Sequence, residues 1–380
     1  MKYIARFFLG LITILLVLII GLYVFGYGYL LTAVRTIYLT GHTTAYLEDY
    51  KKFDNVIIDS GASQSWPMTL DYNEETLSKE IKKIHEKFGT IAYVVIKNDS
   101  IVHESYYDGF GENSKSNSFS MAKSYVTGML GKAIMQGHIE SLDQPVCDFL
   151  PEYCGGLAGE MTVGDLASMA SGLDWNESYY SPFSVTTQAY FDDDLTEIML
   201  DLEVTEEPGQ EYKYLSGNTQ LLAIVLEKAT GMPLEDYLSQ SFWQPLGANR
   251  DALWQVDSKE NNLVKAYCCI ASNAKDFARF GKLYKDFGRW NGVQVLDSSF
   301  VARSIRPRFE GAPYGYGFWL KEYNGKDVFM MRGHLGQYVM VIPQDDLIVV
   351  RLGHSRGSVG EDSYPDEINS YLDEAYRLTQ

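Results

Sequence analysis

Ser120-Met-Ala-Lys123 sets a hydroxyl and an amine three residues apart, where a polar loop turns into an apolar run. On a helix, residues at that spacing share a face. The unpaired N–H groups and dipole at a helix start favour developing negative charge. A serine attacks a carbonyl only with a base in reach, and a lysine of lowered pKa can be that base. The pair therefore suits acyl transfer through a serine ester. A chain this long meets about one Ser-x-x-Lys by chance. The second copy, Ser272-Asn-Ala-Lys275, reads as a helix start capped by Ser272. On spacing alone, Ser120 is a cap as readily as a nucleophile.

Two later clusters could complete a site. Tyr214-Leu-Ser216-Gly-Asn218 gathers hydroxyls and an amide before a helix expected over Thr219 to Gly231. By itself it reads as a cap (Ser216 or Asn218) beside a packed tyrosine. Arg332-Gly-His334-Leu-Gly336-Gln337 runs directly into a strand. Glycine there lets a second backbone or a ligand come close, although the stretch alone also reads as a tight turn.

The elements that must hold these clusters follow from pattern. Leu77 to Phe88 has helical period, and Thr90–Lys97 and Ile101–Tyr107 read as strands around an Asn98-Asp-Ser turn. Met121 to Met135 reads as a buried helix in which Gly128 and Gly131 allow close packing. Residues 142–253 read as mostly helical, with Met161–Gly172 and Thr219–Gly231 clearest. Strands return at Tyr338–Pro343 and Leu347–Leu352, joined through Gln344-Asp-Asp, and Asp366–Leu378 is an amphipathic helix. Strands at both ends and helices between argue for an α+β layer with a helical insertion.

In order and content the three clusters resemble the serine β-lactamase and penicillin-binding-protein superfamily. The resemblance is to its class C-like branch, especially the 6-aminohexanoate-dimer hydrolase and esterase group. It extends to Met169-Ala-Ser-Gly-Leu-Asp-Trp175, Pro208-Gly, Asp276-Phe-Ala-Arg-Phe-Gly281 and Tyr314-Gly-Tyr-Gly-Phe-Trp319, covering Leu77 to Tyr376. It implies an antiparallel sheet flanked by helices. It also implies Ser120 as the acylated nucleophile, Lys123 as proton acceptor and Tyr214 as proton shuttle and activator of the deacylating water. Asn218 would orient Lys123 and the substrate amide, and the N–H groups of Ser120 and Gln337 would form the oxyanion hole. No cofactor or metal is implied.

The chain departs from that pattern at two places. Tyr214-x-Ser216-x-Asn218 is wider than the class C Tyr-x-Asn, so Ser216 shares the asparagine's role and Tyr212 rivals Tyr214. His334, before Gly336, stands where a lysine is usual. A phenol of pKa about 10 needs roughly 4 kcal/mol of help to act as a base at neutral pH, and a neutral histidine supplies none. It is also a weak anchor for a substrate carboxylate. The expected substrate is therefore a small amide or ester without an obligatory acid group. A penicillin-binding or D-amino-acid carboxypeptidase-type cell-wall enzyme, or a non-catalytic wall-peptide sensor, are the alternatives.

Net charge of −18 over 380 residues excludes a phosphate-binding surface and hence a nucleic-acid partner. Phe7 to Val34 carries no charge, more than the roughly 20 residues that span a bilayer. No Ala-x-Ala-like cleavage site is evident, and the first cysteine, Cys147, is far beyond any lipid-attachment position. Lys2 and Arg6 favour a cytoplasmic N-terminus and an external catalytic part on a single-pass anchor. The expected division is an anchor over 1–34, a juxtamembrane connector over 35–76 and a hydrolase domain over 77–380. Cys147 and Cys154 are close enough in sequence to pair outside the membrane, whereas Cys268 and Cys269 read as small buried hydrophobes.

Overall fold

The computed structural model describes residues 2–360 and 362–380. Helix α1 (Lys2–Val24) is followed by α2 (Tyr29–Thr36), β1 (Asn55–Ile58), α3 (Lys79–Lys87), β2 (Thr90–Lys97), β3 (Ser100–Tyr106), β4 (Ser116–Asn117) and α4 (Ala122–Gln136). The middle holds α5 (Val163–Ala167), α6 (Val185–Phe191), α7 (Leu195–Leu200), α8 (Ser216–Thr230), α9 (Leu234–Leu238), β5 (Ala252–Gln255) and β6 (Ile270–Ser272). Then come α10 (Ala274–Lys285), the small hairpin β7 (Arg289–Trp290) and β8 (Val293–Gln294), and α11 (Ser298–Ser304). β9 (Trp319–Tyr323), β10 (Lys326–Gly333), β11 (Gln337–Ile342), β12 (Leu347–Gly353) and α12 (Glu367–Leu378) complete the chain.

The main sheet has the order β3-β2-β12-β11-β10-β9, antiparallel throughout. Chain ends thus meet: the β2–β3 hairpin, which precedes Ser120, joins the C-terminal hairpin through the β2–β12 pair. Alternation sorts the strand side chains into two cores. Tyr93, Val95, Met340 and Val349 pack under α3 and α12. Val94, Ile96, Val339 and Val350 face the other way, into the larger core with Phe277, Phe280 and the α4 side chains. Both faces are covered, so these strands are apolar almost without interruption.

The predicted helices and hairpins at the two ends form with boundaries shifted by a few residues. Asn98 and Asp99 take the positive φ values of a tight hairpin turn. Gly131 lets α4 meet Phe300, since a Cβ there would lie 2.4 Å from that ring.

Four expectations change. The middle is less helical than its pattern suggests: α8 is long, but 142–215 is mainly short helices, single 3₁₀ turns and loops. The helix expected from Thr219 starts at Ser216. Asn273, not Ser272, caps α10, accepting from Asp276 N, while Ser272 ends β6. Residues 35–76 are not a free connector. β1 pairs with β5, and Asp49 is fully buried, accepting from Asn117 Nδ2 (3.0 Å), Gln255 Nε2 (3.1 Å) and the Tyr190 hydroxyl. A carboxylate so enclosed ties the segment to the strand that leads into Ser120.

The uncharged N-terminal run also divides. α1 ends at Val24 with none of its residues buried, whereas α2 packs on the globule through Tyr29, Ala33 and Thr36. Cys147 and Cys154 form a disulfide; Cys268 and Cys269 are buried as expected but are bonded to each other.

Candidate active site

Ser120 is presented by a sharp reversal. Ser118 is fixed to β6 in both directions, its N–H donating to Ile270 O (2.7 Å) and its Oγ accepting from Ile270 N (3.1 Å). The next residue, Phe119, takes φ +46°, with its N–H held by Asn117 Oδ1 at 2.9 Å. Such a conformation costs a non-glycine residue about 1 kcal/mol or more. One 3₁₀ turn (Phe119–Met121) then runs into α4, which leaves Ser120 half-buried at the helix start. The end of β10 closes on this turn. A Cβ on Gly333 would lie 2.2 Å from Ser118 O, so only glycine allows the approach.

Lys123, one turn further, is 1% exposed. Its Nζ lies 3.1 Å from Ser120 Oγ, 3.0 Å from Ser216 Oγ and 2.8 Å from Tyr267 O. Burial pushes its pKa down to about 8, against the opposing charge of Glu177. The directions of these bonds matter. Ser216 Oγ donates to Glu177 Oε1 (2.6 Å), so its lone pairs are free for Lys123. A neutral amine has two N–H bonds and one lone pair. With its hydrogens on Ser216 and Tyr267 O, the lone pair is left for the Ser120 proton.

Glu177 also accepts from Ser216 N at 2.6 Å, where a carboxylate complements the start of α8. The Tyr179 hydroxyl donates to the same carboxylate. Tyr214 lies over this group, with Lys123 Nζ 5.2 Å from its ring centroid and its hydroxyl against Ser120. Tyr314 meets it edge-on at 5.7 Å, and Trp319 lies tilted against it at 5.1 Å. Burial drives the Tyr214 phenol well above its ordinary pKa, only partly offset by the Ser120 hydroxyl. Tyr212, the rival, instead stacks on the far side of Tyr314.

Asn218 does not meet Lys123. It is fully buried, and its Nδ2 points to Met169 Sδ at 3.5 Å. The wider spacing makes the difference: with α8 starting at Ser216, the serine faces the lysine and Asn218 turns into the core. His334 stacks on Tyr179 (5.6 Å) and meets Phe119 edge-on. Burial, and Arg356 nearby, push its pKa down to about 4, so it is neutral. Gly336 takes φ +83° and sits so near Arg351 Nη1 that a Cβ would be 2.3 Å away. The Arg351 guanidinium, buried in β12, binds the carbonyls of Leu335 (3.2 Å), Gly336 (2.8 Å) and Phe88 (2.7 Å). It clamps the turn that leads to Gln337. The Gln337 side chain is committed to Gly353 on β12, which leaves its backbone as the part that can serve a substrate.

The sequence profile of the Beta-lactamase family matches residues 77–370. The chain belongs to the Beta-lactamase family. It is 27% identical over 290 residues to a 6-aminohexanoate-dimer hydrolase of Paenarthrobacter ureafaciens, covering 70% of this chain and 73% of that one. A solved Bacillus anthracis structure, provisionally assigned as a hydrolase of that kind, superposes with TM-score 0.71 at 19% identity over 87% and 92% of the two chains. A D-amino acid amidase from Ochrobactrum anthropi gives TM-score 0.58 at 16% identity over 78% and 95%. At such identities the structural likeness concerns the β-lactamase/transpeptidase fold. With the family match, it makes the chain a serine hydrolase of the β-lactamase-like type.

Within that family fold, three contributors escaped the sequence reading. Glu177 reaches Ser216 across 39 residues, the Tyr267 carbonyl reaches Lys123 across 144, and Arg351 reaches the Gly336 turn from the neighbouring strand. No spacing rule leads to any of them. The one local sign was an acid standing alone among aromatic residues in Trp175-Asn-Glu-Ser-Tyr-Tyr180.

Proposed function

We propose that the chain is a single-pass, membrane-anchored enzyme that cleaves an amide or ester through an acyl-enzyme on Ser120. Neutral Lys123 takes the Ser120 proton as Oγ bonds to the carbonyl carbon. The N–H groups of Ser120 and Gln337 receive the oxyanion, each donor worth about a hundredfold or more in rate. As the carbon–nitrogen or carbon–oxygen bond breaks, Tyr214 gives its proton to the leaving group and is reprotonated from Lys123. Water then attacks the ester, regenerating Ser120 and releasing the acid.

The observation that carries this reading is Lys123, buried, lowered to a pKa of about 8 and oriented by Ser216 and Tyr267 O toward Ser120. Neutral His334 favours substrates without a carboxylate over penicillin-like ones. A fluorophosphonate probe tests the nucleophile. Full-length protein should label and turn over p-nitrophenyl acetate, Ser272→Ala should do both, and Ser120→Ala neither. Labelling that survives Ser120→Ala removes the assignment.

The anchor reading rests on α1. Its 23 residues carry no buried side chain. Past the charged Lys2 and Arg6, the 18 uncharged residues Phe7 to Val24 rise about 27 Å at about 1.5 Å per residue, close to the roughly 30 Å hydrocarbon core and within the range of about 17–25 residues that spans it. Lys2 and Arg6 favour a cytoplasmic N-terminus, leaving residues 77–380 outside. Alkaline carbonate should leave the full chain in the membrane pellet; release into the supernatant rejects the anchor.

A further inference from the structure

We infer that the substrate of Ser120 carries a long apolar chain, seated in a cavity between α2 and the nucleophile and continuous with the membrane surface. The inference rests on the acyl-enzyme and anchor readings above and adds the substrate class.

A cavity of about 330 Å³ is bounded by Ser120 and His334 and by α2, where Leu30, Ala33, Val34 and Ile37 form its wall. No Asp, Glu, Lys or Arg lines it, and its one histidine is neutral. A site of this kind cannot neutralise a substrate's charge, but it can bury hydrocarbon. Its volume lies at the small end of the range for ligand pockets, about 300–1,000 Å³.

The wall on the α2 side is the unusual part. α2 is the continuation of the uncharged N-terminal run, separated from α1 only by residues 25–28. It is fixed over the site by Tyr29, whose hydroxyl donates to Pro182 O (2.9 Å), and by Tyr27 edge-on to Phe183 (5.7 Å). If α1 fills the bilayer, α2 and the cavity mouth lie at the lipid headgroups. The surroundings of the mouth match that position. Tyr180, which lines the cavity, is 82% exposed, and so are Phe183 (68%) and Leu39 (78%), next in sequence to the lining residues Pro182 and Tyr38. Clustered exposed aromatic and apolar side chains mark contact with lipid or ligand, and tyrosines favour the membrane interface. An amphipathic ester or amide would keep its head at the surface while its chain enters the cavity and its carbonyl meets Ser120. The reaction is the one already written: the carbonyl passes to Ser120 Oγ, the alcohol or amine leaves with a proton, and water releases the acid.

The test uses full-length protein in detergent micelles with two substrate series. In one, the acyl group of p-nitrophenyl esters runs from acetyl to decanoyl. In the other, the alcohol of acetate esters runs from ethyl to decyl, followed by acid release. In at least one series kcat/KM should climb by about fourfold per methylene buried until the cavity is full. Which series climbs tells which side of the carbonyl the chain occupies. Ala33→Trp, which fills the cavity, should lower the decanoyl-to-acetyl (or decyl-to-ethyl) ratio by about fifteenfold, the burial of two methylenes. Val34→Asp, which charges the wall without filling it, should lower the same ratio. Ser120-dependent acetyl turnover with a flat chain-length profile in both series overturns this inference and leaves the hydrolase reading standing. A rising profile indifferent to both variants also overturns it. Absence of Ser120-dependent turnover at every chain length rejects the hydrolase reading and this inference with it.

Discussion

Glu177→Gln isolates the electrostatics of the site in a near-isosteric change. The carboxylate is linked to the Lys123 amine through Ser216 Oγ by bonds of 2.6 and 3.0 Å. A charge pair about 5–6 Å apart is worth about 3 kcal/mol at an effective dielectric near 20. Glu177 is only half-buried, and solvent screening reduces this to roughly 1.4 kcal/mol, or one pK unit. The carboxylate raises the Lys123 pKa, so removing it lowers that pKa from about 8. In the proposed mechanism Lys123 acts in its neutral form. In the wild type kcat/KM should therefore climb with pH and level off above about 8, and in Glu177→Gln the same limb should sit roughly one unit lower. His334, at about 4, adds no limb near neutrality. The plateau should fall by about tenfold, because the glutamine presents an N–H group to Ser216 N or Ser216 Oγ and forfeits one charge-assisted bond. The assay is kcat/KM for p-nitrophenyl acetate between about pH 5 and pH 10. A limb that stays in place, or moves upward, refutes the proposed coupling even if the rate falls. A merely structural role for Glu177 would lower the rate without moving the limb.

Three further substitutions probe the supports. Gly333→Ala drives a Cβ into Ser118 O and should cost about 1–3 kcal/mol by urea denaturation while lowering kcat through displacement of Ser120. Asp49→Ala strands Asn117, Gln255 and Tyr190 and should cost about 3 kcal/mol, whereas Asp49→Asn, which keeps an acceptor, should cost less. Equal losses would show that the buried hydrogen bonds are not what holds residues 35–76. Arg351→Met leaves the Gly336 and Leu335 carbonyls without their donor and should lower kcat more than it raises KM, because the oxyanion donor proposed on Gln337 loses its support.

Four of the six strands of the main sheet, β2, β3, β11 and β12, were legible as short apolar, β-branched runs bounded by Asn-Asp and Gln-Asp-Asp turns, whereas β9 and β10, with their interspersed charges, were not. The middle was not, since short helices there are held by contacts distant in sequence, such as Leu195 N donating to Asp257 and Arg308 pairing with Asp165, rather than by any sustained apolar stripe. The connector was misread for a related reason. Four residues of β1 are too few to show alternation, and the burial of Asp49 depends on partners 68 and 206 residues away. Ser120, Lys123 and Tyr214 stood out through local spacing and order, and the fold brings them together. Ser216 and Asn218 exchanged roles because Asn218 lies two residues further along α8, on another face of the helix.

That exchange bears on how the proposed reaction divides its proton transfers. The resemblance assigned Tyr214 two tasks, donor to the leaving group and base for the deacylating water. Burial raises the phenol and lowers the lysine, so their proton affinities are driven apart. Titratable neighbours separated in this way take fixed acid and base parts. A phenol held above its ordinary pKa donates readily in relay but is costly to ionise first, and no cation at position 334 offsets that cost. Lys123, neutral again once the leaving group has departed, is then the base for both half-reactions. Acylation and deacylation should accordingly share one acidic limb near pH 8. Pre-steady-state bursts of p-nitrophenol measured against steady-state turnover over the same pH range read the two steps separately. A deacylation limb displaced well above the acylation limb would return the second task to Tyr214.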